Sequence, residues 1–519
     1  MNLRHLFLGS LFILAFCNCQ KRNKDHFSDI NTPNILFIMS DDHANKAISA
    51  YHEGLINTPN IDQIGKEGIL FKNAFVTNSI CAPSRAVILT GKHSHLNGIK
   101  TNHDQFDGSQ VTFPKLLQEN GYQTALVGKW HLKTEPTGFD YWNILPGQGD
   151  YYNPDFIDMG DTTIYQGYVT NIIADLALNW LENRNEEKPF CLMVHHKAPH
   201  RNWMPDLKHL DKYEDIKLPI PSTYNDDYTG RESLKKQMLT IKDHMDYVYD
   251  FKIPCDTCPV AEVNRWAHQS YEREMNRMTE GQKLMWENGY KIEIDDFIKA
   301  SQSDSGLKAW KFQRYLEDYL RCITSVDENV GKLLDYIDRS GIGENTVVVY
   351  TSDQGFFLGE HGLFDKRYMY DESLRTPLLI RFPGRINPGI TSDQLVQNLD
   401  IAPTLLDLAG ISIPEVMQGK SMIPLFDESA NIAWRKAIYY HFFEKGWGVD
   451  SHYGIRTDRY KIIHFYDDSD QWEFFDLKED PVEMINLIDN PRYAKTISDL
   501  KEQLHSLQNQ YKDSVNNEN

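Results

Sequence analysis

Along the chain, four short apolar runs rich in strand-forming residues each stop abruptly at a polar cluster. Residues 34–39 (Asn-Ile-Leu-Phe-Ile-Met) run into Ser40-Asp41-Asp42-His43, and residues 124–127 run into Gly128-Lys129-Trp130-His131. Residues 190–194 run into His195-His196-Lys197-Ala198-Pro199-His200, and residues 347–350 into Thr351-Ser352-Asp353-Gln354-Gly355. Helix-like stretches lie between them at 113–119, 172–183 and 312–339. Strands alternating with helices predict an α/β fold, a mostly parallel sheet sandwiched by helices. In open sheets of that kind ligands bind outside the carboxyl ends of the strands. Any one of the four clusters alone would read as a solvated loop; four together are expected to converge on one edge and form a site.

The rhythm changes twice. Residues 205–310 are rich in Tyr, Met and charge, helical in pattern as at 266–291, and carry no clear sheet strand. They read as a helical insert in a main α/β domain of residues 32–430. Beyond it, short apolar runs at 437–443, 452–456, 460–466 and 472–475 are separated by polar turns. They predict a small antiparallel C-terminal subdomain over 431–519, closed by a helix from about residue 493 to about residue 511. At the start of the chain, Arg4 and His5 precede an apolar run from Leu6 to Phe16, the pattern of an export signal over residues 1–19. The run is shorter than the ~20 residues of a membrane span. Leu14-Ala15-Phe16-Cys17 resembles a bacterial lipoprotein cleavage box, with bulky Phe16 where a small residue is usual. The expectation is an exported protein, periplasmic or anchored at a bacterial outer membrane through a lipid on Cys17 or Cys19, with simple cleavage and release as the alternative.

Composition narrows the partners. The 519 residues are 41% hydrophobic, and 54 Lys+Arg against 74 Asp+Glu give a net charge of -20. That field repels polyanions, which argues against nucleic acid, so an anionic ligand would need a local cluster of cations. Beyond the export segment the cysteines are Cys81, Cys191, Cys255, Cys258 and Cys322, an odd set for an exported protein, so one is expected to have a chemical role. Cys255-Asp-Thr-Cys258 has the spacing of a local disulfide, a redox pair or half a metal site.

Asp41, Asp42, Asp353 and Gln354 supply three carboxylates and one amide oxygen from two strand ends. All-oxygen sets favour calcium or magnesium over zinc, because softer metals select nitrogen and sulfur. In Cys81-Ala82-Pro83-Ser84-Arg85 the proline suits a helix start, which puts Cys81 at or just before a helix N-terminus. Unpaired N–H groups and the dipole there favour negative charge and activate a reactive group. Taken alone, Cys81 would read as a buried structural cysteine.

Cys81-Ala82-Pro83-Ser84-Arg85, with Leu89-Thr90-Gly91-Lys92 after it, closely resembles the maturation signature of the formylglycine-dependent sulfatases. The resemblance runs along nearly the whole chain, through Asp41-Asp42, Gly128-Lys129-Trp130-His131, Ala198-Pro199-His200, Ser352-Asp353-Gln354-Gly355, Asp365-Lys366-Arg367 and the late stretch from Asp476 to Pro481. It implies an alkaline-phosphatase-like fold and oxidation of Cys81 to formylglycine (3-oxoalanine) by a separate sulfatase-maturing enzyme. One hydroxyl of the hydrated aldehyde would attack sulfur and displace the alcohol; loss of the second proton would then expel sulfate, a step that a plain serine completes less easily. The resemblance further implies a Ca2+ ion held by Asp41, Asp42, Asp353, Gln354 and the modified Cys81. Family members commonly carry asparagine at the position of Gln354. Arg85 and Lys129 would hold the formylglycine oxygens, and His131, His200 and Lys366 would contact the sulfate or the leaving oxygen. His200 is the candidate general acid and His131 its competitor.

The substrate is a sulfated saccharide by the same resemblance. Stretches 196–205, 352–361 and 366–370 look most like bacterial glycosaminoglycan sulfatases similar to N-acetylglucosamine-6-sulfatase. A 6-sulfate sits on a flexible arm, so the pocket must grip the sugar ring itself. His103, Asp104, His361, His452 and Arg456 are the candidate ring contacts, and a pocket closed by the insert and the C-terminal subdomain would suit chain ends. Three other readings stay open: a sulfatase for another linkage (galactose 6-sulfate, uronate 2-sulfate or mucin glycans), a phosphodiesterase or phosphonate hydrolase on the same scaffold, and a non-catalytic glycan-binding protein.

Overall fold

The computed structural model describes residues 32–254, 264–427, 432–468 and 470–514. The export segment with Cys17 and Cys19, and the Cys255/Cys258 pair, lie outside the described residues. Ten strands form one sheet, in the order Ile390–Ser392, Ile69–Phe71, Leu378–Arg381, Thr346–Ser352, Asn34–Ser40, Phe190–His195, Gln123–Lys129, Tyr141–Leu145, Asp155–Asp158 and Asp161–Ile164. The five from Thr346–Ser352 to Tyr141–Leu145 are mutually parallel. Their unbroken apolar runs follow from burial on both faces. In Asn34–Ser40, Leu36 and Ile38 enter one core while Ile35, Phe37 and Met39 enter the other, and Thr346–Ser352 splits Val348 and Tyr350 from Val347 and Val349 in the same way.

One face is covered by Pro59–Lys66, Val169–Asn183 and the long helix Asp304–Arg339, through residues such as Ile61, Ile173 and Ile323. Cys81–Thr90, Phe113–Glu119 and Ile401–Leu408 cover the opposite face through Ala86, Leu117 and Leu405. All ten residues of Cys81–Thr90 are buried, and the helix stops at Gly91 in a left-handed conformation, φ 61°.

The four expected parallel strands are present, each within a residue or two of its expected bounds. The short antiparallel edges went unforeseen: Leu378–Arg381 runs against both its neighbours, and Asp155–Asp158 with Asp161–Ile164 forms a hairpin whose second strand is wholly exposed. The helix expected over 266–291 is two, Arg265–Arg277 and Glu280–Ala300, because Thr279 and Gln282 build a capping box that starts the second. Among the described residues of 205–310 there is no sheet strand.

The C-terminal strands Ala437–Phe442, His452–Thr457, Tyr460–Phe465 and Gln471–Asp476 form the expected antiparallel sheet. Alternation sorts its side chains: Tyr439, Ile455, Ile462 and Phe474 pack under the helix Ala494–Tyr511, while Ile438, Tyr440, Phe442 and Phe475 join the main core. Buried charge also crosses this joint. Asp371 accepts from Arg456 at 3.0 and 2.9 Å and from Lys461 at 2.7 Å, and Lys461 also pairs with Glu483.

Candidate active site

Pairing places the polar clusters side by side. Asn34–Ser40 lies between Phe190–His195 and Thr346–Ser352, and Gln123–Lys129 flanks Phe190–His195 on its other side. Asp41-Asp42, Asp353-Gln354, Lys129 and His195-His196 therefore leave the sheet along one edge. Gly128, at φ 104°, permits the close approach here, since a Cβ would collide with the His195 carbonyl oxygen. Asp42 takes the left-handed conformation, φ 63°, and its N–H donates to Asp353 Oδ1 at 3.1 Å.

The helix Cys81–Thr90 brings its first residue to the same point. Cys81 Sγ stands 3.4 Å from Asp41 Oδ1 and 3.8 Å from Gln354 Nε2. With no side chain capping the helix start, the Ala82 N–H donates to Asn102 Oδ1 at 3.0 Å. One turn on, Arg85 donates from Nε and Nη2 to Asp353 Oδ2 at 3.0 and 2.9 Å and from Nη1 to the Lys129 carbonyl at 2.8 Å. Lys129 Nζ pairs with Asp41 Oδ2, and Lys366 Nζ bridges both carboxylate oxygens of Asp42 at 2.6 and 2.7 Å. These three buried cations are the local positive cluster that a net charge of -20 requires for an anionic ligand.

The donor set fits a hard cation. Carboxylate oxygens of Asp41, Asp42 and Asp353 lie within 4.8 Å of one another, and the buried Oε1 of Gln354 has no hydrogen-bond partner. A cation would satisfy that oxygen and offset the crowded carboxylates. Burial pushes the Asp42 carboxyl up to about 6; Lys366 opposes the shift, and Asp353 and Asp365 add to it. Asp41, Cys81 and His200 form a second possible ligand group that shares Asp41 with the first, so among the described residues both groups belong to this one site.

Burial also pushes the Cys81 thiol up to about 12 against the pull of Lys366. At neutral pH the sulfur is therefore protonated and a poor nucleophile. Burial and then Lys129 hold both His131 and His200 well below their ordinary range. His200 Nδ1 lies 2.7 Å from the Arg201 carbonyl, which only an N–H can face, leaving Nε2 aimed across 3.8 Å at Asp42 Oδ2. His131 Nδ1 is buried without a partner.

The remaining polar residues have other surroundings. His195 contacts the Lys129 carbonyl at 3.1 Å and Arg85 at 3.5 Å, supporting the arginine, whereas neither ring nitrogen of His196 has a partner. His103 is exposed on the loop after the helix, and Asp104 spends its carboxylate on the N–H groups of Lys100 and Thr101. His361 is buried against Asp226 at 2.6 Å, and His452 is buried among Tyr368, Tyr440, Phe442 and Phe465. Arg456 is committed to Asp371 and lies over the Phe75 ring. Asp104, His361, His452 and Arg456, expected to grip a sugar, each have polar or aromatic partners inside the protein. Sequence reasoning missed Asn102, which holds the helix start, and the pair Ser84 and Asn398. Ser84 Oγ donates to the Asp353 carbonyl and accepts from Asn398 Nδ2 at 2.8 Å. Only Ser84 had a signal, its place in the Cys81–Arg85 signature.

A parallel sheet whose carboxyl edge gathers a helix-borne cysteine, an oxygen-rich acidic cluster and three buried basic side chains is an arrangement suited to hydrolysis of tetrahedral anionic esters. Comparison narrows that class. The sulfatase family profile matches residues 33–411, and that of the C-terminal region of N-sulphoglucosamine sulphohydrolase matches residues 359–510. A Bacteroides thetaiotaomicron N-acetylglucosamine-6-O-sulfatase is 45% identical over 97% of this chain and 90% of its own. A Bos taurus N-acetylglucosamine-6-sulfatase is 27% identical over 74% of this chain and 62% of its own. A solved structure, described as a complex with its substrate D-glucosamine-2-N,6-O-disulfate, superimposes with a TM-score of 0.89 at 46% identity, covering 94% of this chain and all of that one. The chain belongs to the sulfatase family.

Proposed function

We propose that the protein removes 6-O-sulfate from N-acetylglucosamine or N-sulfoglucosamine units of heparan-type glycosaminoglycans, with formylglycine at position 81 and a calcium ion. The observation that carries this reading is Cys81, at a helix start, placed against the Asp41, Asp42 and Asp353 cluster. The close similarity to a protein named for this activity supports the choice of sugar. When present, the formylglycine hydrate supplies a nucleophilic oxygen and calcium neutralises ester oxygens.

This chain's own residues do the rest. Arg85, fixed on Asp353 and the Lys129 carbonyl, holds Asp353 beside residue 81. Lys129 and Lys366 set positive charge against the acidic cluster, where sulfate oxygens gather negative charge in the transition state. Burial, and after it Lys129, Lys366 and Lys197, hold His200 neutral. A docked sulfate adds negative charge beside the ring and favours its protonated form, so Nε2–H can donate to the departing alcohol oxygen.

Maturation of Cys81 by a separate enzyme, export by residues 1–19 and a lipid on Cys17 or Cys19 complete the proposal. Among the described residues no helix is long and apolar enough to cross a membrane. Sulfate release from 6-sulfated glucosamine, 6-sulfated galactose and 2-sulfated uronate tests the assignment. Release confined to the first is expected, and preferential release from either of the others overturns the choice of sugar.

A further inference from the structure

Beyond the catalytic cluster, a cavity of about 500 Å³ opens between the loop that follows Lys129 and the loop that follows Leu145. Its place is dictated by the sheet. Tyr141–Leu145 runs parallel to Gln123–Lys129 with Leu145 beside Lys129, so both loops leave at the carboxyl edge that carries the site. The walls are apolar and aromatic, with Trp130, Trp142 and Leu145 among them, and Trp130 is itself fixed by its Nε1–H to the Thr134 carbonyl at 2.6 Å. His131, two residues after Lys129 in the chain, also lines the cavity.

Three polar atoms on this cavity lack partners although they are buried: Nδ1 of His131, Oγ1 of Thr134 and Oε1 of Gln148. Buried polar atoms are normally satisfied, so these three residues leave hydrogen-bonding capacity that a ligand in the cavity could take up. Gln148 is set between two left-handed glycines, Gly147 and Gly149, at φ 58° and 71°. A side chain on Gly149 would strike Leu145 Cδ1 at 2.7 Å, so the loop is specified against bulk there. Indole and aliphatic surface with a few hydrogen-bonding groups suits a pyranose ring, which has apolar C–H faces and hydroxyls at its edge.

We propose that this cavity is a subsite for a second pyranose ring, the sugar next to the sulfated one, with Thr134 and Gln148 binding its hydroxyls and Trp130 and Trp142 providing its apolar contact. The inference rests on the saccharide sulfatase reading and adds where the rest of the chain goes.

The test compares kcat/KM on a 6-sulfated glucosamine monosaccharide with that on disaccharides extended at either side, for wild type and for the Thr134→Val, Gln148→Ala double variant. The subsite predicts that one disaccharide outperforms the monosaccharide and that the double variant loses about ten-fold on that disaccharide while keeping monosaccharide turnover. Equal use of all three sugars by the wild type, or an equal change on monosaccharide and disaccharides in the variant, overturns it. A second readout does not depend on turnover: tryptophan fluorescence titrated with the same disaccharide after desulfation. Saturable quenching that weakens in the double variant supports the subsite even if no sulfate is ever released, which would separately sink the sulfatase reading. Sulfate release from the monosaccharide with no quenching by any disaccharide removes the subsite and leaves that reading intact.

Discussion

At the scale of single residues, the geometry turns chemical identity into specific costs. Arg85 reaches Asp353 and the Lys129 carbonyl through three hydrogen bonds in a planar fork. Lysine keeps the charge but cannot reproduce the fork. Arg85→Lys is expected to lower kcat by about 100-fold, in the range lost when one preorganised electrostatic contact is removed, measured as sulfate release at saturating substrate; an unchanged kcat contradicts the role. That Cys81, Arg85, Lys129, Lys366 and the acidic residues come together was legible in the sequence because most of them fall in one contiguous signature and in clusters that end strands. The internal partners of Asp104, His361, His452 and Arg456 were not legible, for a physical reason. A histidine or arginine at a strand end gives no sign of whether a distant carboxylate already occupies it, and Arg456 finds Asp371 across 85 residues of chain.

At the scale of elements, the parallel strands were readable because burial on both faces leaves continuous apolar runs, and the helices because of their period. The edge strands were not. Ile69–Phe71 has three residues and Asp161–Ile164 is fully exposed, so neither carries a pattern that separates it from loop. Coupling between elements was equally invisible. The segment around Asp226 is pinned to the turn at His361 by a buried carboxylate that receives Arg231 and lies 2.6 Å from His361 Nδ1. Burial pushes the Asp226 carboxyl up, but the hydrogen bonds from His361 and Arg231 overcome it and hold the group down at about 2. A carboxyl depressed in the folded state stabilises above its unfolded value and loses that contribution as pH falls through the folded one. Asp226→Asn is therefore expected to lower the unfolding free energy, measured by urea denaturation at neutral pH, by about 3 kcal/mol, because Arg231 is left buried without its counter-charge. The gap from wild type should narrow between about pH 4 and about pH 2. A gap that is constant across that window contradicts the pinning role.

At the scale of the whole molecule, the C-terminal sheet shares one core and one ionic joint with the α/β domain. Asp371 is held well below the usual carboxylate range: burial opposes this, and Arg456, Lys461 and Arg375 prevail. Asp371→Ala leaves Arg456 and Lys461 without that buried partner and is expected to cost about 3–5 kcal/mol. Thermal unfolding of the wild type should be a single transition in which the two sheets melt together. In the variant the C-terminal strands should show faster hydrogen exchange than the central ones, and uniform exchange across both sheets would contradict the joint. The antiparallel C-terminal sheet was legible from the change of apolar rhythm, whereas the ionic joint that ties it to the main sheet was not, because its charges lie on separate elements and meet only in the fold.

Residue 81 and the acidic cluster are proposed to act as one catalytic unit for sulfate esters. The direct measurement is sulfate release from 6-sulfated glucosamine by the matured protein, with and without a chelator, beside a folded Cys81→Ala variant. Release is expected to stop with chelator, to return with calcium and to be absent in Cys81→Ala. Undiminished release from Cys81→Ala, or release indifferent to the chelator, would contradict it.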